Sequence, residues 1–146
     1  MSDDRARPIM IPEVQAFATG FPVTLLHAGV TLIMLVFAAT VYSLLTPYRE
    51  VQLVREGNAA AAISLGGVVI GLAAPLAVSL SASPSVIEIV VWGVATTSVQ
   101  LLVFRVTDLF LSGLPARIQD GEVAAASLLT AARLASALIL AAAVAG

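Results

Sequence analysis

PVTLLHAGVTLIMLVFAATVYSLL, residues 22–45, contains no acidic or basic side chain other than His27. A helix rises 1.5 Å per residue, so a run of about 24 residues extends about 36 Å, enough to cross a hydrocarbon core of about 30 Å. Pro22 suits the first turn of such a helix and Pro47 its end. Three further runs of the same kind follow, from about Ala59 to Leu80, Val86 to Leu111 and Val123 to Val144. The expected fold class is therefore an all-α membrane protein with four transmembrane helices.

Composition supports this reading. Of 146 residues, 60% are hydrophobic and 11% charged, and mean hydropathy is +1.03. The charges cluster between the apolar runs, so they cannot coat a water-facing surface, and the bilayer itself is the first expected partner. The net charge is -2, Lys is absent and the seven Arg are dispersed, which argues against nucleic acid as a partner. Without Cys there is no disulfide, thiolate metal site or cysteine nucleophile. Asp3 and Asp4 beside Arg5 and Arg7, before a long apolar run, argue for a retained span over a cleaved leader.

Residues 1–21 form an N-terminal segment punctuated by Pro8 and Pro12, in which Val14, Phe17 and Phe21 recur at the spacing of an interfacial helix. Residues 48–56 predict a short surface helix with its charges turned to water. Gly57 supplies its left-handed cap and Asn58 the N-cap of the second span. Ser81 to Ser85 make a tight turn, and a connector with Pro115, Arg117 and Asp120 joins the last two spans. The connectors after the first and third spans hold Arg49, Arg55 and Arg117, with Arg105 nearby. That bias expects both connectors in the cytoplasm and both termini in the periplasm.

Residues 56–65, EGNAAAAISL, align with residues 120–129, DGEVAAASLL. Each decapeptide follows a charged connector and opens a span. The chain thus reads as two tandem helical hairpins, 22–80 and 86–144, in parallel orientation about an axis along the membrane normal.

Several residues stand out against the apolar background. Gly66, Gly67, Gly71 and Pro75 make a small-residue face on the second span; this serves close helix packing or, because Gly and Pro loosen a helix, a hinge or pore wall. Arg133 lies about 15 Å into the fourth span and requires a partner or water. Gln100 lies at similar depth, with Thr96 and Thr97 nearby, and Asp108 is closer to the surface, where a snorkelling guanidinium would reach it. A buried contact from Arg133 to Gln100 or Asp108 is expected, as structural glue or as part of a polar path. His27 and Glu88 both fall near the outer ends of their spans, a pair open to a proton-sensing reading or to a helix-dipole role for the acid. One His and one Glu make a poor metal site, and no nucleophile–base spacing or phosphate-binding loop occurs, so no metal, cofactor or catalytic residue is expected.

Leu45-Thr46-Pro47-Tyr48, Gln52-Leu53, Gly57-Asn58-Ala59-Ala60-Ala61, Gly71-Leu72-Ala73-Ala74-Pro75-Leu76, Trp92-Gly93 and Val99-Gln100-Leu101-Leu102 occur in collinear order. In these the chain resembles the YjfL family of small bacterial inner-membrane proteins, from about residue 25 to 130. The resemblance implies four spans, an inner-membrane location and no established activity. The chain departs from it in the last helix: the family often has an Asn there, whereas residues 137–146 are almost wholly aliphatic. The expected function is a non-enzymatic structural or accessory subunit that forms a homo-oligomer or joins a larger membrane complex. The alternative is a small oligomeric channel or transporter with a polar path near Gln100 and Arg133.

Overall fold

The computed structural model describes residues 11–46 and 48–146. Six helices follow in order: α1 (Pro12–Leu45), α2 (Glu50–Arg55), α3 (Ala59–Ala82), α4 (Val86–Phe110), α5 (Leu114–Gln119) and α6 (Val123–Ala145). Four of them, α1, α3, α4 and α6, are long and apolar enough to span a bilayer. The short helices α2 and α5 lie on one face, called here the connector face. The other face carries the tight α3–α4 turn.

The first helix departs from the expected boundary. It begins at Pro12 and passes through Pro22, where a span start was expected. A proline inside a helix removes one i→i−4 hydrogen bond, here to the Ala18 carbonyl, but the turns on both sides keep theirs, so the helix continues. No separate interfacial helix therefore precedes the span among the described residues; residues 1–10 of the expected N-terminal segment, and Pro47, lie outside them. The connector at 112–122 also holds more order than expected, because Pro115 sits in the first turn of α5. The remaining span ends agree with the sequence reading to within about two residues, the usual fraying of helix ends.

Each half of the chain runs as a long helix, a six-residue helix, a left-handed glycine and a second long helix. Gly57 and Gly121 take φ of 88° and 86°, a conformation that a Cβ disfavours. Asn58 then caps α3 through Oδ1, which accepts from the Ala61 N–H at 2.9 Å. Its Nδ2 donates to the carbonyls of Ile118 and Gln119 at 3.1 and 3.0 Å, tying the start of α3 to the end of α5. At the equivalent place in α6, the Glu122 side chain makes no cap and pairs with Arg117, whose Nε donates at 2.6 Å.

Helices α3 and α6 pair at the centre. Apart from Ala126, the buried residues of α6 form one ridge with a spacing of four, Ala125, Leu129, Arg133, Ala137 and Ala141. Small residues there let α3 approach closely. A Cβ on Gly67 would come within 2.5 Å of Thr130 Cγ2, and one on Gly71 within 2.8 Å of Phe104 Cζ. Pro75 is buried on the same face, whereas a Cβ on Gly66 would meet nothing within 4 Å. The small-residue face of α3 is thus occupied inside the chain, by α6 and α4. Helix α1 buries a sparse inner face, Thr31, Ala38 and Tyr42, with Met34, Leu35 and Ala39 packed partly buried beside it.

Candidate functional site

Arg133 sits midway along the ridge that α6 presents to α3, and it is wholly buried. Cβ atoms tilt toward a helix N-terminus, and α6 begins at the connector face. The side chain therefore runs back from a depth of about 15 Å toward that face, where shallower groups meet it. Nη2 donates to Asp108 Oδ1 at 2.7 Å and Nη1 to Ser64 Oγ at 3.2 Å. Asp108 lies within the last turn of α4, and Ser64 about 7 Å into α3. The guanidinium carbon is also 5.3 Å from the ring centre of Tyr42 and 5.5 Å from that of Phe104, and those two rings meet edge to face. A cation between two aromatic rings is attracted to both, most strongly where water is excluded.

The second acid of the site comes from the connector. Glu50 opens α2 and is 3% exposed, a correction to the expectation that the charges of this helix face water. Its Oε1 accepts from Ser64 Oγ at 3.0 Å, Tyr48 Oη at 3.1 Å and Tyr42 Oη at 3.4 Å, while Oε2 has no hydrogen-bond partner. Burial pushes the carboxyl above its ordinary range, against the opposing pull of Arg133 and of the three hydroxyls. The Tyr48 hydroxyl is likewise pushed up, first by burial and then by the carboxyl beside it. Ser64 joins the guanidinium and the carboxyl, accepting from Arg133 and donating to Glu50.

Gln100 lies about 15 Å from the end of α4, level with the backbone of Arg133 and beyond the reach of its retreating head group. Its Nε2 donates to Ser136 Oγ at 3.3 Å, and Ser136 Oγ donates to the Arg133 carbonyl at 2.7 Å. Gln100 Oε1 and Arg133 Nε are buried without partners. Thr96 is buried but bonds to its own helix at Trp92, and Thr97 is half-buried on a different face. Contacts therefore run from Glu50 through Ser64, Arg133 and Ser136 to Gln100, from the connector face to mid-membrane.

His27 is half-buried, Glu88 is exposed, and no hydrogen bond or ion pair joins them among the described residues. The Glu88 N–H receives the Ser85 cap at 3.3 Å, and the acid stands in the first turn of α4, where a helix dipole favours it. Among the described residues no group of three or more His, Cys, Asp or Glu converges. Arg105 and Asp108, three apart on α4, have the spacing expected of a local ion pair, but Arg105 binds the Leu45 carbonyl at the end of α1 and Asp108 pairs with Arg133.

Sequence reasoning missed Glu50, Ser64, Tyr42, Tyr48 and Phe104. A signal for Glu50 was present. Extended backward, the internal alignment sets it against Leu114, and both are buried. For Tyr42 the signal was weaker: it lies on the least apolar stripe of an apolar helix, where membrane proteins place their inner faces.

The family model described as Domain of Unknown Function (DUF350) matches residues 16–144. The inner membrane protein YjfL of Escherichia coli K12 is 30% identical over 109 residues, 75% of this chain and 83% of that protein. The transmembrane protein YshE of Bacillus subtilis is 34% identical over 68 residues, 47% of this chain and 51% of that one. No solved structure matches.

Proposed function

We propose, from the premise that this chain belongs to the DUF350 family and is a multi-pass inner-membrane protein, that it acts as a non-enzymatic accessory subunit. In this reading it packs on copies of itself or on another membrane protein through the free end of α1. The observation that carries the reading is the exposure of every residue from Ile11 to Leu26, among them Val14, Phe17, Phe21, Val23, Leu25 and Leu26. Phe17 and Phe21 stack at 5.0 Å, giving this arm a preformed aromatic face. Ala28 and Leu80 line one depression, so α3 ends near that level and the arm projects beyond it by about 20 Å. The positive-inside bias supports a periplasmic arm, with both connectors in the cytoplasm. The glycine face of α3 is no longer a candidate for this role, being filled from within.

The repeated order of long helix, short helix and left-handed glycine supports a tandem duplication. Its two halves have diverged where Val69 aligns with Arg133, leaving one polar centre in place of two. Native mass measurement in mild detergent, with a photoreactive residue at position 17, tests the subunit reading. A defined oligomer or complex crosslinked at that position is the expected result; monomers alone, with no crosslinked partner, would overturn it.

One observation favours a second reading, a small oligomeric channel or transporter. The contacts from Glu50 to Gln100 include three buried polar atoms without partners, the kind of lining that admits water or protons. Liposome flux decides it: a flux unchanged by Glu50→Gln would exclude this path.

A further inference from the structure

Two depressions between α1 and the helices that follow it adjoin at Ser43 and Val51. One, of about 390 Å³, opens on the connector face and is lined by Tyr48, Arg49, Glu50, Gln52 and Arg55, with Ser43 and Val51 at its edge. The other, of about 480 Å³, shares Ser43 and Val51 and continues between α1 and α3 along Leu35, Val36, Ala39, Leu65 and Val69. Leu35 lies ten residues before the end of α1, so the apolar slot descends about 15 Å into the hydrocarbon region.

We propose that this two-part groove holds one anionic phospholipid, with its phosphate in the basin and an acyl chain in the slot. Charge complementarity selects the occupant. Arg49 and Arg55 are exposed at the membrane interface, and neither guanidinium has a side-chain partner among the described residues. Arg105 and Arg117, by contrast, are engaged with Leu45 and Glu122. Among the acids near the basin, Glu56 accepts from Gln52 at 2.9 Å and Glu50 is turned inward to Ser64 and the two tyrosines. Among the described residues the basin therefore presents two guanidinium groups without a side-chain partner, the donors that fit a phosphodiester. A soluble phosphate would satisfy the arginines and leave the slot unfilled. A zwitterionic lipid would fill the slot but bring its own cation to the basin. A basic pocket beside transmembrane helices is a physically reasonable site for an acidic head group.

Native mass spectrometry of the full chain, with phosphatidylglycerol, phosphatidylcholine or inorganic phosphate added, tests the proposal. Selective retention of phosphatidylglycerol is expected, falling roughly 30-fold in the Arg49→Gln/Arg55→Gln variant, the combined pull of two arginines at a membrane surface. Ala39→Phe, which fills the slot and leaves both arginines, should also abolish retention. Circular dichroism in detergent shows whether each variant keeps its helices. Equal retention of phosphatidylcholine, displacement of the lipid by millimolar phosphate, or retention unchanged in either folded variant would overturn the proposal.

Discussion

Arg133 and Glu50, from α6 and α2, are joined through a single hydroxyl. Ser64 Oγ accepts from Arg133 Nη1 at 3.2 Å and donates to Glu50 Oε1 at 3.0 Å. The cation has its direct counter-ion in Asp108, so the Glu50 carboxyl is a hydrogen-bonded neighbour rather than a second salt-bridge partner.

Ser64→Ala removes this relay and leaves Arg133 Nη1 buried without a partner, while Glu50 Oε1 keeps its two tyrosine hydroxyls. A loss of about 1–3 kcal/mol is expected in a reversible unfolding titration in mixed micelles. In a Glu50→Gln background the loss should be smaller, because part of what the serine satisfies has changed. Additive losses would mean that the two groups are not coupled.

Breaking the ion pair from one side should cost more than removing it. Asp108→Asn leaves Arg133 charged and buried, and a destabilisation of about 3 kcal/mol is expected. Asp108→Asn combined with Arg133→Met removes the stranded charge and should recover most of it. Unfolding free energies of the two variants decide the point; a double variant no better than the single would contradict it.

Glu50 predicts an acid-favoured stability. Its carboxyl is raised in the folded state above the ordinary 4.5, mainly by burial. The folded protein therefore holds this proton more tightly than the unfolded chain. The contribution is complete below about pH 4.5 and is lost as pH rises through the folded-state value. Melting temperature in detergent should fall over that rise, and Glu50→Gln should flatten the profile. A wild-type slope retained by the variant would assign the effect to another group.

Neighbouring glycines of α3 should respond in opposite ways. Gly67→Leu drives a side chain into Thr130, and Gly71→Val into the Phe104 ring, each expected to lose about 1–3 kcal/mol. Gly66→Ala meets open space and gains helix propensity, so it should be neutral or slightly stabilising. Thermal melts of the three variants side by side would show this pattern.

The four spans were legible because an apolar run of that length has no stable alternative in water, and hydropathy does not depend on tertiary detail. Asp108 was legible as one of two candidate partners for Arg133, the other being Gln100, because both helix depth and side-chain direction follow from counting residues. Glu50 was not legible from local sequence. In the connector it follows two polar residues and reads as an exposed charge; only the docking of α2 beneath α1 and against α3 turns it inward. The continuity of α1 through Pro22 was hidden for the opposite reason. Proline marks where a helix is permitted to start, and nothing local decides whether it does.

The pairing of α3 with α6 has a consequence for biogenesis. The ribosome delivers α3 well before α6, so the newly inserted first half must wait in the bilayer with the α6-facing side of α3, Gly67 included, without its partner helix. A polypeptide stopped after the α3–α4 turn would be a natural client for insertion factors and quality-control proteases. It would escape them only once the final helix arrives and closes over the first hairpin.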